Sequence, residues 1–193
     1  MVNKKNLIPL CFILLCLCLL TSCGRKKDTA RYDDPGKPAC GDMIITGSIG
    51  EPSNLIPILA SDSASHEVAS YVYNGLVKYD KDLTIVGDLA ESWEISKDNL
   101  SITFKLKKGV KWQDGKPFSA HDVMYTYKMT VDPRTPTPYS GDFKLVRKAE
   151  VLDDHTFRVT YDKPFAPALI SWSASILPRH LLEGKDIAMS PLK

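Results

Sequence analysis

The chain has 193 residues, 44% of them hydrophobic and 25% charged, with 25 Lys and Arg against 23 Asp and Glu. Ordinary apolar content and a net charge of +2 exclude a disordered chain, a collagen-like repeat and a nucleic-acid-binding polycation. Setting aside Lys4 and Lys5, the only charged residues among residues 1–22, leaves 23 bases against 23 acids, a balance that argues against steering toward phosphates or anionic membrane surfaces.

Lys4-Lys5 precedes an almost unbroken apolar run of 14 residues, Leu7 to Leu20. At about 1.5 Å per residue the run is too short for a hydrocarbon core of about 30 Å, and it has the size of an export signal's apolar region. Leu20-Thr21-Ser22-Cys23-Gly24 follows, an apolar residue and two small ones before a cysteine. This resembles the lipobox of bacterial lipoproteins. The resemblance implies that residues 1–22 are removed, that Cys23 carries lipid, and that the chain is exported and held at a membrane on its periplasmic or cell-surface side. Cys11, Cys16 and Cys18 would leave with the signal, so Cys40 remains as a lone thiol, either an incidental surface residue or one that pairs with a partner protein. Residues 23–41, rich in charge, Pro and Gly, read as a flexible tether.

Ordered structure is expected over 42–193, beginning with a short buried strand at Met43 to Gly47. A loop containing Pro52 and Pro57 follows, and then a helix capped by Asp62 or Ser63 with Val68, Val72 and Leu76 as its apolar face. Leu76 to Tyr79 and Leu83 to Val86 flank a Lys81-Asp82 turn, and Trp93 to Ser96 pairs with Leu100 to Lys107. Leu100, Ile102, Phe104 and Leu106 alternate with polar residues, so that strand has one buried face. Asp114-Gly115 marks a turn. Ser119-Ala-His-Asp122 predicts a capping box, opening a helix that Pro133 ends. Leu145 to Leu152 and Thr156 to Tyr161 predict a second hairpin, and helical pattern returns at Pro167 to Trp172 and Leu177 to Leu182. Strands and helices interleave without a βαβαβ rhythm, which predicts an α+β fold.

Several segments together resemble the family 5 extracellular solute-binding proteins, the peptide and nickel receptors of ABC importers. They are Leu55-Ile56-Pro57, Gly75 to Asp80, Asp88-Leu89-Ala90-Glu91-Ser92-Trp93, the long block Ile102 to Val123, Val151 to Phe157 and Ile176 to Leu181. In the long block Lys107 stands where the family usually has Arg, and Gln113 where it often has His. The resemblance covers about Met43 to Ser190. It implies a periplasmic-binding-protein type II-like fold, a two-lobed receptor that closes on its solute by hinge bending, presents it to a permease powered by a separate ATPase, and does no chemistry. It also implies that Tyr139, in the loop Asp132 to Tyr139, and Ser61 and Ser63, after the Leu-Ile-Pro motif, touch the solute. Without the resemblance, Tyr139 reads equally as an interface residue and the serines as helix caps. Members are much longer, so the chain is expected to be the N-terminal part of such a receptor, with one wall of the cleft.

A peptide is the expected solute, with no cofactor. Nickel or another solute is the alternative within the family, and a non-binding surface lipoprotein the alternative outside it. HExxH, GxSxG and P-loop patterns are absent, so an enzyme is disfavoured. The four histidines are spread along the sequence with no local metal-ligand spacing.

Overall fold

A computed structural model describes residues 45–189. The chain divides into two units, Met1–Thr46 and Gly47–Lys193. The signal, the tether, Cys23 and Cys40 lie outside the described residues, as do Met43 and Ile44. The strand expected at Met43 to Gly47 is not formed by its described part. Ile45 is 84% exposed and irregular, and no strand among the described residues pairs with it.

The proline loop contains one 3-10 turn, Pro57–Leu59, with proline at the position whose N–H needs no partner. Helix α1 spans Ser63–Val72 and its N-cap is Asp62, whose carboxylate accepts the Ser65 N–H at 2.8 Å. Its buried face differs from the expected one. Ala64, Ser65 and Ala69 are buried, Val68 and Val72 are exposed, and Leu76 lies beyond the helix end. Small side chains let this helix approach closely, and the buried Ser65 hydroxyl has polar partners in the Ser53 and Asn54 N–H groups.

Strands β1 (Val77–Tyr79) and β2 (Ile85–Gly87) form an antiparallel hairpin. Strands β3 (Ala90–Ile95), β4 (Ser101–Leu106), β5 (Val146–Asp153) and β6 (Thr156–Tyr161) form an antiparallel sheet in the order β3-β4-β6-β5. The period of two decides its faces. Ile102 pairs with Val159 and Phe104 with Phe157, and these four, with Leu106 and Tyr161, are at most 3% exposed. The opposite face is polar, with Arg158 donating to the Thr103 hydroxyl at 3.1 Å. Burying each large apolar side chain contributes about 1.5–3 kcal/mol.

Helix α2 (Ala120–Val131) opens with the expected capping box. The Ser119 hydroxyl accepts a first-turn N–H, and the Asp122 carboxylate accepts the Ser119 N–H. The helix ends at Asp132, before Pro133. It serves two cores. Ala120 and Val123 belong to the sheet's core, whereas Tyr125, with Met129 beside it, packs against Ile56, Ile58, Leu177, Leu182 and Ile187. The short helix α3, Arg179–Leu182, is tied to α2 where the Arg179 N–H donates to the Asp122 carboxylate at 3.0 Å.

Trp172 closes the main core. Its ring lies 5.0 Å from that of Phe157, 5.2 Å from Phe143 and 5.9 Å from Phe104. Its N–H donates to the Tyr161 hydroxyl at 3.0 Å, which donates in turn to the Ala168 carbonyl at 3.0 Å. The segment around it crosses the chain entering β1. Leu76 N–H donates to Trp172 O and Ile176 N–H to Asn74 O. The crossing requires glycine at 75, because a Cβ there would sit 2.4 Å from the Ser173 carbonyl oxygen.

Burial pushes the Tyr161 phenol up to about 12, so its proton stays in place. The variant Y161F leaves a buried indole N–H and a carbonyl without their partner. It should lose about 1–3 kcal/mol of unfolding free energy in urea titrations; an unchanged urea midpoint would show that the chain Trp172-Tyr161-Ala168 contributes nothing.

Candidate functional site

The expected solute residues come together in space. Tyr139 lies in a 3-10 turn, Pro138–Phe143, whose start is capped by the Thr137 hydroxyl accepting the Tyr139 N–H at 3.2 Å. The loop before it is held by side chains as well as by prolines. Asp132 accepts the Arg134 N–H at 2.9 Å and pairs with its guanidinium at 2.7 Å, and that guanidinium holds the Asp132 carboxyl down to about 2. From this support Tyr139 reaches across to the start of α1. Its hydroxyl lies 2.8 Å from the Ala60 carbonyl oxygen and 2.7 Å from His66 Nε2, and the two rings meet edge to face at 5.9 Å.

Ser61 and Ser63 flank the N-cap, and both are exposed. Asp62 holds the cap position, so neither serine supplies the capping side chain. The Asp62 carboxylate accepts bonds from the Ser53 hydroxyl and from the N–H and hydroxyl of Ser65. These bonds, that from the Ser53 hydroxyl foremost, hold it well below the usual carboxylate range. Residues 53–66 therefore form a stiff turn around one ionised carboxylate. Tyr139 joins this segment at Ala60 and His66, next in the chain to the exposed Ser61 and Ser63.

His66 was missed by sequence reasoning. It stands 73 positions from Tyr139, and no local spacing joins them. The other three histidines, scattered in sequence, all line one cleft of about 400 Å³ between the 109–118 turn, the start of α2 and α3. There His180 pairs with Asp114 at 2.7 Å and His121 with Asp154 at 3.4 Å. Among the described residues no group of three or more His, Cys, Asp or Glu is arranged to hold a metal ion. No described helix is long and apolar enough to cross a membrane.

The fold is that of the periplasmic binding proteins, a mixed arrangement of antiparallel sheet and helices that matches part of their length. Residues 84–188 match the family described as bacterial extracellular solute-binding proteins, family 5 Middle, and the chain belongs to that family. It is similar to the oligopeptide-binding protein AppA of Bacillus subtilis, at 30% identity over 96% of this chain and 35% of AppA. It is also similar to the glutathione-binding protein GsiB of Pectobacterium atrosepticum, at 34% identity over 80% of this chain and 31% of GsiB. Among solved structures, NikZ from Campylobacter jejuni in complex with Ni(L-His) matches with a TM-score of 0.68 and 31% identity, over 73% of this chain and 28% of NikZ. The chain thus spans about a third of the length of the curated relatives it matches.

The depressed Asp62 carboxyl makes a pH prediction. A carboxylate whose folded pKa lies below its unfolded value of about 4 stabilises the fold above that pH, and the stabilisation fades as pH falls toward the folded value. The variant D62N retains a capping oxygen but does not titrate. Its stability should fall less steeply than that of the natural chain on acidification below about pH 4. Parallel curves of urea midpoint against pH would remove Asp62 as a source of acid sensitivity.

Proposed function

We propose that this chain contributes the solute-binding component of an ABC importer, capturing peptides for a membrane permease driven by a separate ATPase subunit. The observation that carries the reading is the Tyr139-Ala60-His66 contact, which holds the Ser61 to Ser63 turn and the Tyr139 loop as one edge. Rigid presentation matters because ordering a loop on binding costs free energy that a prearranged edge does not. Two relatives of similar identity whose names specify an oligopeptide and glutathione support a peptidic solute. Tyr139 would contribute mainly its ring, since its hydroxyl proton is directed at Ala60. In this reading the chain has no catalytic role.

Nickel is the second reading, favoured by the likeness to NikZ. The two are separated by titrating the 193-residue chain with penta-alanine and, separately, with Ni(L-His), following backbone amides by NMR. Penta-alanine should perturb Ser61, Ser63 and Tyr139, and Ni(L-His) should not. The reverse pattern would favour nickel and overturn the peptide reading.

We further propose that Cys23 carries the lipid anchor, with acyl chains such as palmitate holding the exported chain at the membrane. One acyl chain binds a bilayer only marginally, so stable attachment takes the several chains of a lipoprotein. The variant C23A should lose palmitate labelling and move to the soluble fraction; membrane fractionation that does not change would exclude this anchor.

A further inference from the structure

We infer that His66 sets the hydrogen-bond polarity of this edge, presenting Nδ1 as a bare acceptor for an N–H donor on the solute, an ammonium or amide group. The inference rests on the reading above that the edge faces solute, and its first step is independent of that reading.

A phenol has one proton to donate. The Tyr139 oxygen lies within hydrogen-bond distance of two groups, the Ala60 carbonyl oxygen at 2.8 Å and His66 Nε2 at 2.7 Å. A carbonyl oxygen only accepts, so the phenol proton is committed to Ala60. Burial and the charge of Asp142 raise the Tyr139 pKa above its ordinary value, so the proton is not lost at neutral pH. The contact with His66 then needs a proton from the imidazole, and Nε2 must carry it. In a neutral ring Nδ1 is consequently unprotonated, with its lone pair available. His66 is exposed, and among the described residues Nδ1 has no hydrogen-bond partner.

Such an edge discriminates by hydrogen-bond sense. An acceptor welcomes N–H groups and disfavours carboxylates, which would meet it lone pair to lone pair. Nearby charges act the same way, with Glu67 beside His66 in the chain, Asp62 one helical turn before it and Asp142 on the Tyr139 turn. The positive end of α1 opposes them, but the ionised Asp62 cap offsets it. A peptide amino terminus or main-chain amide fits, and a simple carboxylate does not.

The test uses the 193-residue chain, 15N-labelled, at about pH 8. Long-range 1H–15N correlation should show His66 protonated at Nε2 alone, and Y139F should relax it to a tautomer mixture. Trialanine should move the Nδ1 resonance, sodium acetate should not, and H66F should weaken trialanine binding about 2- to 10-fold. Finding the proton on Nδ1 overturns the inference at its first step. Trialanine shifts at Ser61 and Ser63 with an unmoved His66 Nδ1 overturn it while the solute-facing edge stands. No shift at any of these residues overturns both.

Discussion

Everything described between Asn74 and Ile176 depends on the seating of Trp172 against the sheet. The indole fills the space bounded by Phe104, Phe157, Phe143 and Tyr127. Its N–H is consumed by Tyr161, and its backbone carbonyl accepts from Leu76 at the entrance to β1. One residue thus links the sheet's inner face, the helix packed on it and the chain segment that leads into β1. A group of this size cannot be removed without a cavity, and protein interiors relax only partly around such cavities. The demand for glycine at 75 has the same origin, since the backbone carrying Trp172 passes too near for a Cβ.

The loops have a shared device of a different kind. At Asp80, Asp98, Asp114, Asp132, Asp153 and Asp186 a carboxylate accepts the N–H two residues ahead, at distances between 2.8 and 3.0 Å. Each bond pins a turn and draws on backbone donors that would otherwise face water. The Ser96 hydroxyl foremost holds Asp98, and the Lys116 and His155 N–H bonds foremost hold Asp114 and Asp153, below the ordinary carboxylate range. Asp62 and Asp122 extend the device over longer distances. Asp62 gathers Ser53 and Ser65, and Asp122 joins the start of α2 to that of α3. The loops that carry Ser61, Ser63 and Tyr139 are therefore held by fixed charges and short polar bonds on top of the apolar anchors Ile56, Ile58 and Phe143. That is an economical way to keep a surface edge stiff while leaving it wet.

Much of the fold was legible in the residues alone. Strict alternation in Leu100 to Lys107 and in Phe157, Val159 and Tyr161 defined two strands and their buried faces, because the pleat admits no other assignment. Ser119 with Asp122, and Pro133 after it, marked both ends of α2, since capping and ring closure are local chemistry. The motif blocks, read together, pointed to the family. Local pattern failed where a neighbour decides. Val68 and Val72 have the spacing of a buried face, yet α1 turns Ala64, Ser65 and Ala69 inward. Ile45 looked like part of a strand, but the ladder it needs is supplied by no described neighbour.

Chain order and residue type by themselves determined the class of fold, the alternating faces of the main strands and both ends of α2. The tertiary structure alone decided that the Tyr139 hydroxyl is turned to Ala60 and His66, that three distant histidines line one cleft, and that the Ser61 to Ser63 turn stands beside the Tyr139 loop. The division has a physical cause. Strand period, helix caps and proline act within a few residues, and their energetics are present in any short segment. A hydrogen bond across 73 positions exists only after the packing of α2 and the sheet has brought its two ends together.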